Sequence, residues 1–256
     1  MKNHFFFPYF GNKRNEVERL YEIIEPVLDE IDTVIEPYCG SFAFSYYVWT
    51  LNKERNLKYI LNDIDENLIM LIRTVIENPD YLNEINDEIN EFKTNWTKTT
   101  YDEIVKKRDF KGYLLGNMYY RIRPNLFNIN GCIDKILMSA PVVDFLLNAN
   151  IEVKNQDGLN LLISNINNHN ALIFLDPPYI LSDNTMYKSS SDNIYSYFAK
   201  NDLKNFESKL LICIEKNFIT DLIFDNENDN IITYDKKYAN GNKKRTKHLI
   251  YFNRLT

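Results

Sequence analysis

The sequence predicts an α/β protein built on an open, mostly parallel sheet. Three observations carry this. Short apolar runs alternate with amphipathic segments along most of the chain. One run, Ala171-Leu172-Ile173-Phe174-Leu175, is apolar at every position, as a strand buried on both faces requires. The last two candidate strands flank Asn240-Gly241, a tight-turn pair that predicts a closing antiparallel hairpin.

Taken in order, Thr33-Val34-Ile35-Glu36 reads as the first strand, ended by Pro37, and Phe42 to Leu51 as a helix. Lys58 to Asn62 is a second strand, followed by a helix over Ile64 to Ile76. Ile151 to Lys154, Ala171 to Leu175 and Leu210 to Ile214 supply three more strands. Ile231 to Tyr234 and Leu249 to Phe252 form the hairpin. Between Glu77 and about Asp144 the texture changes to polar, helical patterning with an Asn-rich stretch over Arg121 to Gly131. A parallel crossover needs only about a dozen residues, so this much longer segment reads as a helical insert with one exposed loop.

Bulk properties narrow the function. At 256 residues and 45% hydrophobic, the chain can bury a large core, and global disorder is excluded. The net charge of -6 gives no global attraction to a polyanion. Nucleic-acid binding therefore requires local basic patches, and two are available. One is Lys236, Lys237, Lys243, Lys244, Arg245 and Lys247; the other is Arg121 and Arg123, preceded by Lys106, Lys107, Arg108 and Lys111. Cys39, Cys132 and Cys213 are widely spaced and do not cluster with His4, His169 or His248, so neither a disulfide framework nor a metal site is expected. No apolar run reaches the roughly 20 residues of a membrane span, and Phe5-Phe6-Phe7 is cut short by Pro8. A cytoplasmic protein, or one of a host cytoplasm if viral, is expected.

Three motifs carry chemistry. Glu36-Pro37-Tyr38-Cys39-Gly40-Ser41 closes the first strand and precedes a helix, an arrangement that offers a ligand close backbone approach and helix amides. The Gly-x-Gly-x-x-Gly pattern of dinucleotide sites is absent, which disfavours nicotinamide and flavin cofactors. Asp63 ends the second strand about 20 residues later, where such sheets place an acid against ribose hydroxyls. It could equally cap the following helix, although Asp65 is also available for that. Asp176-Pro177-Pro178-Tyr179 follows the most apolar strand. Here a carboxylate, carbonyls freed by two prolines and a flat ring converge, which suits a planar heterocycle bearing an amino group.

Asp176-Pro177-Pro178-Tyr179 resembles the catalytic motif of methyltransferases that act on adenine amino groups in DNA. Tyr9-Phe10-Gly11-Asn12-Lys13, Ile35 to Ser41, Leu61-Asn62-Asp63-Ile64 and Lys236-Lys237-Tyr238, in this order, resemble the Dam-type (alpha-group) branch and its phage members. The resemblance implies a Rossmann-like methyltransferase fold with a mostly parallel seven-stranded sheet, an antiparallel terminal hairpin and a helical insert. It divides the chain into a catalytic domain of residues 1–76 and 145–256 and a target-recognition domain of residues 77–144. It implies S-adenosylmethionine as cofactor, duplex DNA with a flipped adenine as substrate, no metal, no membrane, and a monomer or weak dimer, acting alone or within a restriction-modification system.

Site roles follow from the resemblance. Lys13, beside Tyr9, Phe10 and Gly11, would hold the methionine carboxylate of the cofactor. Glu36, Pro37, Tyr38, Cys39, Gly40 and Ser41 would wrap its methionine and ribose, and Asp63 would bind the ribose hydroxyls. Asp157, with Ile64 or Leu159, would flank its adenine. Asp176 would bridge the cofactor and the target amine, and with Pro177 and Pro178 it would hold the target base, on which Tyr179 would stack. Arg121, with Arg123, Asn125 and Asn128, and with Lys237, Lys244 and Arg245, would contact DNA, Arg121 by reading guanine or a phosphate. Phe42 stands where many relatives carry a small residue, Asp157-Gly158 lacks the aromatic of their Asp-Phe pair, and Ile129-Asn130-Gly131 replaces their Pro-Phe-Gly stretch. An RNA adenine methyltransferase and a catalytically silent relative are the alternative readings.

Overall fold

The computed structural model describes residues 13–84, 138–180, 192–224, 230–237 and 245–254, with isolated positions between 87 and 106. In chain order the main elements are α1 (Val17–Ile24), β1 (Thr33–Glu36), α2 (Ala43–Leu51), β2 (Lys58–Asn62), α3 (Glu66–Glu77) and α4 (Ala140–Asn148). They continue with β3 (Asn150–Lys154), α5 (Gly158–Ile163), β4 (Ala171–Leu175), α6 (Asp192–Lys200), β5 (Lys209–Glu215), α7 (Phe218–Phe224), β6 (Ile231–Lys237) and β7 (Arg245–Phe252).

The strands form one seven-stranded sheet in the order β3-β2-β1-β4-β5-β7-β6. β3, β2, β1, β4 and β5 run parallel, and β7 pairs antiparallel with both β5 and β6. This is the Rossmann-like methyltransferase architecture that the sequence predicts. Alternate strand residues supply two cores. Val34, Leu61, Phe174 and Leu211 join α1 to α4 on one face, and Ile35, Ile60, Ile173 and Ile212 join α5 to α7 on the other. Because both faces are covered, β4 can be apolar at every position.

The boundaries of β1 to β5 follow the apolar patterns closely, and the helix starts deviate. α3 begins at Glu66, two residues later than the pattern suggests, because the Asp65 carboxylate accepts from the Asn67 amide at 3.2 Å and caps the helix. α2 begins after Phe42, which adopts a left-handed backbone with φ of 44°. Burial explains why a large side chain is kept in a conformation that costs non-glycine residues free energy. The Phe42 ring lies in the core, its centroid 6.0 Å from that of Phe145 on α4. α4 begins at Ala140, with Met138 and Val142 already in the core. Both hairpin strands are longer than the apolar runs: β6 is an edge strand and tolerates polar residues such as Asp235, and β7 extends with it as its register partner. The hairpin turn and the Asn-rich stretch lie outside the described residues.

Candidate active site

Strand order reverses between β1 and β4, whose carboxyl ends lie side by side. Open α/β sheets bind ligands in the crevice at such a switch point. The Glu36–Ser41 turn, Asp63 and Asp176 all stand at this end of the sheet.

The β1–β2 side is braced by backbone. Gly40 turns with φ of 45°, a conformation natural to glycine, and its amide donates to the Asp63 carboxylate at 3.1 Å. Asp63 also accepts from the Asp65 amide at 3.0 Å. It is therefore tied to the turn rather than capping α3. Asn62 binds the turn from below. Its amide group donates to the carbonyls of Pro37 at 2.8 Å and Gln156 at 3.0 Å, while its side-chain oxygen accepts from the Gln156 amide at 3.0 Å. The Cys39 amide donates to the Asn62 carbonyl at 2.8 Å. The Glu36 carboxyl turns inward to accept from the Ser45 amide at 2.7 Å, in the first turn of α2. Pro37, Cys39 and Ser41 are buried; Tyr38 and Ile64 are half-buried. Asp157 caps α5 by accepting from the Asn160 amide at 3.0 Å. Gly158 packs against Tyr38 so closely that a β-carbon there would lie 2.6 Å from the ring and 2.9 Å from the Pro37 carbonyl oxygen.

The β4 side is held by charge. Lys13, only 4% exposed, places its Nζ 2.5 Å from Asp176 Oδ1 and donates to the Tyr179 hydroxyl at 2.9 Å. The three side chains form one compact unit. Pro177 and Pro178 are buried behind it and fix the exit from β4. The Tyr179 ring meets His248 edge-on at 5.4 Å.

Burial sets the electrostatics. It pushes Asp63 up to about 6, against the pull of the Asp65 and Gly40 amides. It pushes Glu36 up to about 8, with the Ser45 hydrogen bonds opposing and the Asp176 charge adding to the rise. Asp176 is raised by burial and drawn back by Lys13. Burial acts to lower Lys13, but the Asp176 charge, with Cys213 and Glu16 behind it, more than offsets this and holds it cationic.

The family of D12 class N6 adenine-specific DNA methyltransferases matches residues 9–149. The chain belongs to this family. A D12-class enzyme is an adenine-specific DNA methyltransferase of a class that depends on S-adenosylmethionine, so DNA adenine methylation is the general activity and DNA the substrate. The matched stretch contains Lys13, the Glu36–Ser41 turn and Asp63, and ends before Asp176. No curated protein matches the chain.

Lys13, Glu36 to Ser41, Asp63 and Asp176 to Tyr179 stand at the same end of the sheet, around the β1–β4 switch point. Tyr9, Phe10, Gly11, Arg121, Arg123, Asn125, Asn128 and Lys244 lie outside the described residues. Lys237 and Arg245 are register partners at the last rung of the hairpin. Among the described residues, no helix is long and apolar enough to cross a membrane. Asn62 is a site residue that motif reading undervalued, and a polar side chain ending a buried strand was its signal. Glu16, Tyr234 and His248 also border the site, with no local signal in the sequence.

Proposed function

We propose that this chain transfers the methyl group of S-adenosylmethionine to the exocyclic nitrogen of an adenine flipped out of duplex DNA. Residues 1–76 and 145–256 do the chemistry, and residues 77–144 read the target, with Arg121 contacting it. The observation that carries the reading is the Lys13–Asp176–Tyr179 unit at the switch point, facing the braced Gly40–Asp63 turn.

Bound S-adenosylmethionine supplies an electrophilic methyl on a sulfonium, chemistry that is complete without a metal. The donor set fits it. Asp63, already oriented by two amides, has lone pairs left for ribose hydroxyls. Gly40 allows close backbone approach, Glu36 to Ser41 would wrap the methionine and ribose, and Ile64 and Asp157 would border the adenine. Lys13 would be the cation that holds the methionine carboxylate.

The adenine amine is a poor nucleophile because its lone pair is delocalised into the ring. Asp176 and the Pro177 carbonyl accept hydrogen bonds from it and draw it toward tetrahedral geometry, favouring the positive charge that develops on nitrogen. Tyr179 provides the stacking face, worth about 1–3 kcal/mol per base, which recovers part of the cost of flipping. The bond from Lys13 to its hydroxyl fixes the ring in place.

The test is transfer of labelled methyl groups to adenine in duplex DNA. Wild-type protein is expected to transfer label, and Asp176→Ala to lose at least about a hundredfold in rate. Wild-type rates in the variant would sink the reading.

A further inference from the structure

Behind Lys13 lies a second set of buried polar groups. Glu16, 6% exposed, sits one turn on, at the start of α1. Its amide donates to the Lys13 carbonyl at 2.8 Å, as does that of Val17 at 3.1 Å. Its carboxylate accepts from Lys236 Nζ at 2.7 Å and from the Tyr234 hydroxyl, both on β6. His248 Nδ1 on β7 is 3.8 Å away, and Cys213 Sγ on β5 is 3.5 Å from the Tyr234 hydroxyl.

Glu16, Cys213 and His248 bring ligand atoms within 4.8 Å of one another, a spacing a metal ion could use. The surroundings oppose that reading. The Tyr234 hydroxyl already bridges Glu16 and Cys213, the Lys236 ammonium rests on the same carboxylate, and burial pushes the Cys213 thiol up to about 12. A cation-lined spot with a protonated thiol repels a metal.

Buried ion pairs seldom stabilise a fold more than apolar side chains would, so this one invites a specific role. We infer that Glu16 and Lys236 are positioning residues. Their buried ion pair anchors the Lys13 turn to the antiparallel end of the sheet, and so sets where the Lys13 ammonium meets Asp176 and Tyr179. Neither side chain touches a reacting atom. The inference rests on the methyl-transfer reading for its catalytic consequence, and on geometry alone for the position of Lys13.

The groups facing Glu16 are Lys13 before α1, Cys213 on β5, Tyr234 and Lys236 on β6 and His248 on β7, with Asp176 beyond Lys13 on β4. The Glu16 charge raises the Asp176 carboxyl and the Lys236 charge lowers it. Removing one or the other must therefore move Asp176 in opposite directions.

The experiment compares full-length wild-type protein, Glu16→Gln and Lys236→Met. In Glu16→Gln, which keeps the side-chain shape, the acidic limb of the kcat/KM profile for methyl transfer is expected to move down by ~0.5 pH unit or more. In Lys236→Met it is expected to move up. A purely structural loss would lower activity in both without opposite shifts, and unmoved limbs would overturn the inference. If Glu16→Gln fails to fold, the direction of the Lys236→Met shift decides.

A second readout needs no turnover. The Lys13 ammonium resonance, assigned by its loss in Lys13→Arg, is expected to shift and to exchange faster with water in Glu16→Gln. An unchanged resonance would overturn the positioning role. Absence of methyl transfer by the wild-type protein would instead sink the functional reading and leave this resonance to decide.

Discussion

The two walls of the crevice hold their carboxylates in opposite ways. At the ends of β1 and β2, Glu36 and Asp63 rest on backbone amides of Ser45, Gly40 and Asp65. Asp63 is short and loses little entropy on being fixed, and carboxylates anchored on main chain have little freedom to rearrange. At the end of β4, Asp176 rests on Lys13, and Lys13 is backed by Glu16 and Lys236, which come from opposite ends of the sequence. Freezing a long lysine side chain costs up to about 2 kcal/mol, so this wall holds its shape only through its charge pairs. The first wall is therefore held by main chain, and the second by charge pairs.

Breaking the second wall should have the largest effect. Lys13→Met leaves Asp176 without its partner, and loss of one member of a buried pair costs about 3–5 kcal/mol. Chemical denaturation should show that loss together with loss of methyl transfer. Adding Asp176→Asn to it should restore much of the stability and none of the activity. If the double variant is no more stable than Lys13→Met, charge pairing is not what holds this wall.

The first wall should yield less and differently. Asn62→Ala removes three hydrogen bonds under the Glu36–Ser41 turn, and at about 1 kcal/mol each the expected loss is about 2–3 kcal/mol. Weaker binding of S-adenosylhomocysteine should accompany it, read by calorimetry. Stability or affinity equal to wild type would show that the cradle is not braced from below.

The smallest effect is a pH dependence. Asp63 is pushed up to about 6, so the folded protein binds its proton more tightly than a free aspartate does. A ligand whose hydroxyls donate to this carboxylate binds the ionised form. Affinity for S-adenosylhomocysteine should therefore be full above about pH 6 and fall up to tenfold per pH unit below it. Asp63→Asn should flatten that slope, which separates Asp63 from Glu36 and Asp176. A slope that survives in Asp63→Asn would assign the titration elsewhere.

Legibility divides along the same line. The first wall is built from neighbours in sequence or from motifs at strand ends, and Gly40, Asp63 and the strands beneath them could be placed from local pattern. Asp176 to Tyr179 was legible for a similar reason. Two prolines and an aromatic ring after an apolar strand leave few other local explanations. The competition between Asp63 and Asp65 to cap α3 was not decidable locally, since either side chain reaches a helix amide. The Gly40 amide, brought in by the turn after β1, decided it.

The sequence by itself determined the α/β class, the position of each strand, the turn after β1 and the place of Asp176-Pro177-Pro178-Tyr179 after β4, because periodicity, glycine and proline act within a few residues. Only the tertiary structure decided that Lys13 meets Asp176 and Tyr179, that Glu16 is neutralised by Lys236, and that Phe42 keeps a left-handed backbone. The charge pairs meet only when the sheet closes over the start of α1, and the Phe42 conformation depends on burial of its ring against Phe145. No local pattern encodes a partner more than 160 residues away.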